Sequence, residues 1–475
     1  MDYYPVIPDP ADITNQRTGL VKRVARDTPP INKALLKRFA KFVKNWLKKN
    51  MPKLNHIMDI EEWLATTSYN EARKQQLRNA HEKLHGGSPP ASMTSRIETF
   101  GKREGMDPST DRVSGASNGF KFMRIINSRG DVFKAYSGPL FHQIEELVFA
   151  NPHFVKRTPV RDRPASVDSL RQAGARYVST DFTSFEAHFT GDFMASCELL
   201  LYKHCLSDFP EVARVIDRVI RARLSNGEQN ICTTRQGLKL PLDGRRMSGD
   251  MCTSLGNGFA NLMMWSFFCS IHGTAWEGYV EGDDGIFAVH SGAIPNAKEY
   301  QMLGWTIKIE NHNDPSEAGF CGCLYVEGQV VRNPTTVLTS LGWSFQMVDA
   351  GIALRKALCR SKMLSLAYEL PQCPILGAIA RRGVELTEGA DQRYVPDGFH
   401  VRPKKFDIPK FEPTMAVRLL YERKFGIAPE LQVYLEELIV KGKDDALAAV
   451  ARCLPPPAAC VTMGLLYANE GRSGG

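Results

Sequence analysis

Gly278 to His290 reads GYVEGDDGIFAVH. Apolar residues flank Gly282, Asp283, Asp284 and Gly285, so the pattern is strand, tight turn, strand. It predicts a β-hairpin with two adjacent carboxylates at its tip. An Asp pair beside Gly is more often a solvated turn than a site, so the hairpin alone fixes a shape and no chemistry. Upstream, Arg176 to Phe189 reads RYVSTDFTSFEAHF. A short β-branched strand ends at Asp181, and Phe182 and Phe185 follow. A carboxylate at a strand end is presented from a rigid element. Between these stretches lies Gly244 to Asn261, GRRMSGDMCTSLGNGFAN. Ser248 and Gly249 suit a flexible turn, and Ser248 or Asp250 suits a helix cap. Thr253, Asn257 and Asn261 then fall four apart, along one helix face. Met251, Leu255, Phe259 and Leu262 take the other faces, so the helix reads as buried nearly all round. Its polar stripe suits hydrogen bonding to ribose hydroxyls; the other reading is a face turned to solvent.

A third carboxylate, from a segment separate from the Asp pair, is what two-metal chemistry requires. Two Mg²⁺ ions roughly 3.5–4 Å apart activate an attacking hydroxyl and stabilise a leaving oxygen. Magnesium prefers oxygen ligands and leaves positions for phosphates and water. Asp181, Asp283 and Asp284 are the candidate ligands.

The rest of the chain bounds these readings. Its 475 residues exceed one hydrophobic core, and 43% hydrophobic with 24% charged residues is ordinary for a globular protein. A net charge of +8 points to an acidic partner, most commonly nucleic acid, although many basic proteins bind nothing acidic. The eleven cysteines form no CxxC pair. Cys321 and Cys323, with His312 upstream, lack a second pair to complete a zinc site, and free thiols in a reducing cytosol fit better. The first residues carry no signal-peptide core. Between Asp250 and Glu277 His272 is the only ionisable acid or base, but Thr253, Asn257 and Asn261 make a buried helix a better reading than a membrane span. Arg17 to Lys53 holds twelve basic residues against Asp27, with Leu35, Phe39, Phe42, Val43, Trp46 and Leu47 at helical spacing. It predicts a core-packed basic helix ending near Pro52, with RNA favoured over a membrane at its outer face. Gly86 to Gly119 reads as loops. Residues 345 to 370, Met415 to Phe425 and Glu430 to Val440 read as helix, around a Pro-punctuated stretch with Pro396, Pro403, Pro409 and Pro413. Mixed elements in the middle and helices at the end predict an α+β fold.

In chain order, Asp181 with Glu186, Ser248 to Asn257, and Gly282 to Asp284 resemble motifs A, B and C of positive-strand RNA virus RNA-dependent RNA polymerases. The RMSGDMCTSLGN string, Arg246 to Asn257, is especially similar to tombusvirus-like enzymes, with nodavirus-like polymerases as neighbours. Three motifs in order are specific where one is weak. Lys121, Arg124 and Arg129 resemble the basic motif F that meets the triphosphate. Lys156, Arg157, Arg161 and Arg163 form a second basic cluster, suited to the template or nucleotide channel or to a plain charged surface. Gly304 to Glu310 is similar to motif D, with Lys308 as the candidate general acid for pyrophosphate. Phe320 to Cys323 and a hairpin at Glu327, Gly328 and Gln329 resemble motif E. The resemblance spans roughly residues 60 to 345. Glu186 departs from the family's usual Asp by one methylene.

The resemblance implies a right hand of fingers, palm and thumb, with an antiparallel palm sheet and a helical thumb. Its expected parts are an N-terminal region with fingers over residues 1–115, and fingers with motif F over 116–175. A palm follows over 176–345, with a fingers insertion near 205–243, and a thumb over 346–475. It implies nucleotidyl transfer from NTP to an RNA 3′-hydroxyl, replicating a positive-strand RNA genome. Mg²⁺ is the implied cofactor, with Mn²⁺ as substitute. Glu186, Ser248, Thr253 and Asn257 are implied in nucleotide binding, and Glu186 with Asn257 in reading the sugar. Implied partners are RNA template and product, NTPs, and viral or host replication proteins, with no membrane span of the chain's own. Implied placement is the host cytoplasm, at membrane-associated replication complexes, and a de novo start follows by the same analogy. A reverse transcriptase shares the metals but would place a bulky side chain against the 2′-hydroxyl, so Thr253 and Asn257 favour RNA. A non-catalytic RNA-binding protein would have lost carboxylates that are intact here.

Overall fold

The computed structural model describes residues 8–102, 122–226, 228–341, 350–391, 408, 410–443 and 445–454. Lys121, Pro396, Pro403 and Pro409 lie outside them. The strands are β1 (Arg96–Gly101), β2 (Ile125–Arg129), β3 (Arg176–Phe182), β4 (Asn230–Thr233), β5 (Lys239–Leu242), β6 (Ala275–Glu281), β7 (Asp284–Ser291), β8 (Ile307–His312), β9 (Leu324–Val326) and β10 (Gln329–Val331). The central sheet has the order β6-β7-β3-β8 and is antiparallel throughout. Mixed helix and sheet, with this antiparallel centre, is the α+β class expected.

Side chains alternate across a strand, so the central sheet has two distinct faces. Val178, Phe182, Phe287 and Val289 enter one core with the helix Thr253–His272. Trp265 of that helix stacks on Phe287 with ring centroids 3.9 Å apart. Tyr177, Ile286 and Ala288, on the other face, enter a second core with Phe320, Tyr325 and C-terminal residues such as Leu366, Leu376 and Tyr421. Asp181 shares the alternation of Tyr177 and Ser179, so it stands on this second face, at its open end.

The helix Lys33–Asn50 forms as its pattern predicts, with Leu35, Leu36, Phe39, Val43 and Leu47 buried. It packs on the far side of the helix Thr253–His272 through Phe39 and Phe42 on Phe267 and Trp46 on Phe259. Its exposed Lys33, Lys37, Arg38, Lys41, Lys44 and Lys48 therefore stand away from the Asp181 face. Among the described residues no helix is long and apolar enough to cross a membrane.

The stretch from Gly86 to Gly119 is not all loop. Arg96 to Gly101 alternates exposed and buried as β1, because Ile97, Thr99 and Gly101 face inward. That strand pairs antiparallel with β2 and parallel with β4, both distant in sequence, within the sheet β2-β1-β4-β5. Local composition could not announce partners so far away. The same sheet collects β4 and β5 from the segment between β3 and Ser248. Leu20 and Val24 of the N-terminal segment close its small core. Helices Ile352–Glu369, Met415–Phe425 and Pro429–Val440 form where the periodicity placed them.

Candidate active site

The hairpin β6–β7 turns through Gly282 and Asp283, with Glu281 opposite Asp284. Gly282 has φ +60°, which a first loop residue of a tight II′-type hairpin demands and glycine supplies without strain. β3 lies beside β7, with Thr180 opposite Gly285. One step further along this antiparallel register Asp181 faces Asp284, on the same side of the sheet. β8 flanks β3 on its other edge and sets Lys308 opposite Asp181. The structure thus brings Asp181, Asp283, Asp284 and Lys308 to one end of one sheet. Lys308 is exposed and pairs with Glu310 at 2.7 Å.

Electrostatics confirm that the carboxylates feel one another. Burial raises the Asp284 carboxyl to about 7, and Asp283, Asp181 and Glu281 push it the same way. Burial also raises Asp283, with Asp181 and Glu186 adding to it and the Arg124 guanidinium opposing. A hydrogen bond from its own backbone opposes the rise at Asp283 as well. Among the described residues, no three His, Cys, Asp or Glu side chains already stand as a metal-holding group. The donor set nonetheless fits a hard divalent cation: it is all oxygen, rigidly mounted, and each charge raises its neighbour's affinity for a countercharge.

Asn261 is a residue that sequence reasoning placed in the ribose stripe and the structure uses otherwise. Its side chain is buried, and Nδ2 lies 3.2, 3.1 and 3.1 Å from the carbonyl oxygens of Gly282, Asp283 and Asp284. One amide thus fastens the carboxylate turn to the helix behind it. Its spacing from Asn257 was the only signal available. Asn257 itself has a buried Oδ1 with no hydrogen-bond partner among the described residues.

Ser248 and Thr253 hold the loop ahead of this helix. The Ser248 hydroxyl donates to the Ile125 carbonyl at 3.0 Å and lies 3.4 Å from the Asn127 amide. The Thr253 hydroxyl lies 2.8 Å from the Asp250 carbonyl and 3.2 Å from that of Met247. Their protons are committed to backbone, so only their acceptor lone pairs remain for a nucleotide. Arg129 corrects the basic-motif expectation. It is buried in a pair with Asp250 at 3.0 Å and donates to Asn230 Oδ1 and the Thr94 carbonyl. Its Nη2 has no hydrogen-bond partner among the described residues, but with 2% of the side chain exposed the guanidinium is not presented to a triphosphate. Arg124 is exposed and near enough to lower Asp283. Lys121 lies outside the described residues.

The second basic cluster is largely neutralised. Lys156 and Arg163 share Glu281 at 2.9 and 3.6 Å, Arg157 pairs with Glu146, and Arg161 lies 3.6 Å from Asp162. Glu186 pairs with Arg23 at 3.3 Å, and among the described residues no hydrogen bond joins it to Asn257.

His188 is a further residue the motifs did not single out. Its Nε2 accepts from the Thr306 amide at 3.2 Å, so Nδ1 carries the proton and donates to the Ser184 carbonyl at 3.1 Å. Its ring stacks on Trp305 with centroids 5.2 Å apart. Burial lowers its pKa to about 4. It ties the loop after Asp181, where Ser184 turns through φ +50°, to the entry of β8. Further on, Glu327 and Gly328 both take positive φ, the I′ geometry that closes the β9–β10 hairpin expected there.

Residues 133–341 match the family model for viral RNA-dependent RNA polymerases. The chain resembles the RNA-dependent RNA polymerases of positive-strand RNA viruses. Over 158 residues it is 30% identical to the RNA-directed RNA polymerase of Greasy grouper nervous necrosis virus, covering 31% of this chain and 15% of that one. Over 329 residues it is 26% identical to the RNA-directed RNA polymerase of Pothos latent virus (isolate Pigeonpea/India), covering 63% and 37% respectively. The chain thus spans well under half the length of these relatives.

Proposed function

We propose that this chain is a viral RNA-dependent RNA polymerase that moves a nucleoside monophosphate from NTP to an RNA 3′-hydroxyl. The observation that carries the reading is the convergence of Asp181, Asp283 and Asp284 at one sheet end, with Asn261 fixing the turn. In this reading the central sheet is the palm, the sheet β2-β1-β4-β5 belongs to the fingers, and the C-terminal helices are the thumb. Asp181, Asp283 and Asp284 would hold two Mg²⁺ ions, which when bound activate the 3′-hydroxyl and stabilise the leaving oxygen. Arg124 meets the triphosphate from the fingers side. Lys308, opposite Asp181, gives a proton to the departing pyrophosphate, for which it must leave Glu310. Asn257 offers its unpaired amide oxygen to the 2′-hydroxyl, which can donate to it. Replication of a positive-strand genome, replication proteins as partners and work at host membranes rest on the resemblance alone.

The test is incorporation of labelled NTP by the purified chain on an RNA template, with and without Mg²⁺. Template-dependent, Mg²⁺-dependent RNA synthesis is the expected result. RNA binding without synthesis in either Mg²⁺ or Mn²⁺ would instead support a non-catalytic replication protein.

A further inference from the structure

We propose that the basic face of the helix Lys33–Asn50 is a second RNA-binding surface, holding the backbone of single-stranded RNA outside the catalytic recess. The polymerase reading enters only in naming RNA as the polyanion. The helix carries no acidic residue. At about 100° per residue, Lys33, Lys37, Lys41, Lys44 and Lys48 fall within an arc of about 80°, with Arg38 and Lys49 further round. All of these cations are exposed. Among the described residues none of them has an ion pair or a side-chain hydrogen bond. Like charges three or four residues apart destabilise a helix, and no acid within it offsets them. The helix forms nonetheless because Leu35, Phe39, Val43 and Leu47 are buried on its opposite side, and packing against the core outweighs the repulsion.

Charge and shape choose the occupant. The five lysines run about 22 Å along the helix, and a step of four residues rises about 6 Å, comparable with the separation of neighbouring phosphates on one RNA strand. Lysine meets a phosphate as a point charge, and the arc holds no aromatic ring to stack a base, so the face suits backbone and not sequence. A lipid surface is served worse. An interfacial helix turns apolar side chains into the bilayer, and here they are already spent on the core. The helix packs through Phe39 and Trp46 on the helix Thr253–His272, on the side away from the carboxylates. RNA held on its outer face therefore lies beyond the stretch being copied.

The measurement is affinity for a long unstructured RNA and for a short primer–template, each across a salt series, with thermal melting alongside. Lys33→Gln, Lys37→Gln, Lys41→Gln, Lys44→Gln and Lys48→Gln together should weaken long-RNA binding at least about tenfold. They should lower the slope of log affinity against log salt by about 3 to 4 units, at about 0.7 per lost phosphate contact. Affinity for the short primer–template, and single-nucleotide addition on it, should not change. Unchanged affinity and slope with long RNA would make the face a solvated surface and overturn the proposal. Equal losses with both RNAs would place these lysines in the channel itself and overturn it too. So would lost binding to phosphatidylserine vesicles with long-RNA affinity intact. If the fivefold variant does not fold, acetylation of the unaltered chain decides: long RNA should shield these lysines from the reagent, and no shielding overturns the proposal. An unaltered chain that binds long RNA through this face but adds no nucleotide overturns the polymerase reading alone, whereas normal synthesis with unmoved long-RNA affinity overturns this proposal alone.

Discussion

The central sheet and the β2-β1-β4-β5 sheet spend their charges in opposite ways. At the end of the central sheet like charges are crowded: Asp181 pushes up the pKa of both Asp283 and Asp284, and Asp283 pushes up that of Asp284. At the other sheet opposite charges are paired and hidden, with Arg129 and Asp250 each only 2% exposed at the side chain. A second buried pair, Arg246 and Glu198 at 2.5 Å, with Tyr202 donating to the same carboxylate, fastens the same loop from below. Crowded like charge costs stability and is useful only toward a ligand. Buried, paired charge holds a loop in one place and is closed to ligands. The loop Arg245 to Asp250 joins the two regimes.

The sharpest way to break this contrast is Asp283→Asn. Loss of a carboxylate ligand should cut nucleotide addition at least about a thousandfold, roughly 4 kcal/mol of barrier, while RNA binding persists. Primer extension within a few fold of the unaltered chain would remove Asp283 from the chemistry.

On the other side of the contrast, Arg129→Met should cost about 3–4 kcal/mol of folding stability, because it strands Asp250 in the interior. Adding Asp250→Leu should restore much of it. Denaturant midpoints for the three chains check this; a single variant as stable as the parent would mean Arg129 is free for a ligand after all.

His188 gives a pH-dependent handle on the link between the Asp181 loop and β8. Its folded pKa of about 4 lies below the ordinary 6.5, so it contributes stability above pH 6.5 that is lost as pH falls toward 4. The gap of about 2.5 pH units corresponds to about 3 kcal/mol. His188→Asn keeps a donor for Ser184 but cannot titrate. Its stability deficit relative to the parent should shrink between pH 7 and pH 4; a constant deficit would show that protonation of His188 does not matter.

The smallest effect is expected from the second basic cluster. Arg161→Ala, at a site 69% exposed and set against Asp162, should leave the salt dependence of RNA affinity almost unchanged. Arg124→Ala should lower that slope by about one unit. Equal slopes in both variants would remove Arg124 from the phosphate contacts.

Much of the candidate site was legible because its signals are local. A Gly-Asp-Asp turn between apolar runs makes a hairpin by its own turn chemistry, and a carboxylate after a β-branched strand sits at that strand's end. The four-residue spacing of Thr253, Asn257 and Asn261 fixed their common helix face, but spacing does not say what each amide will meet. Asn261 met the backbone of the carboxylate turn, while the Asn257 Oδ1 met no partner among the described residues; only the packing of helix against hairpin separated them.

By itself the sequence determined the hairpin, the strand before it, the buried helix between them and the C-terminal helices, since turn propensity and hydrophobic period act over a few residues. Tertiary structure alone decided which charges are available. Arg129 and Arg124 are five residues apart and look alike in sequence, yet one is buried against Asp250 and the other is exposed near Asp283. Glu186 took Arg23, far away along the chain, rather than Asn257. A long charged side chain goes to whichever opposite charge the fold brings within reach, and that choice depends on contacts between segments that no local pattern encodes.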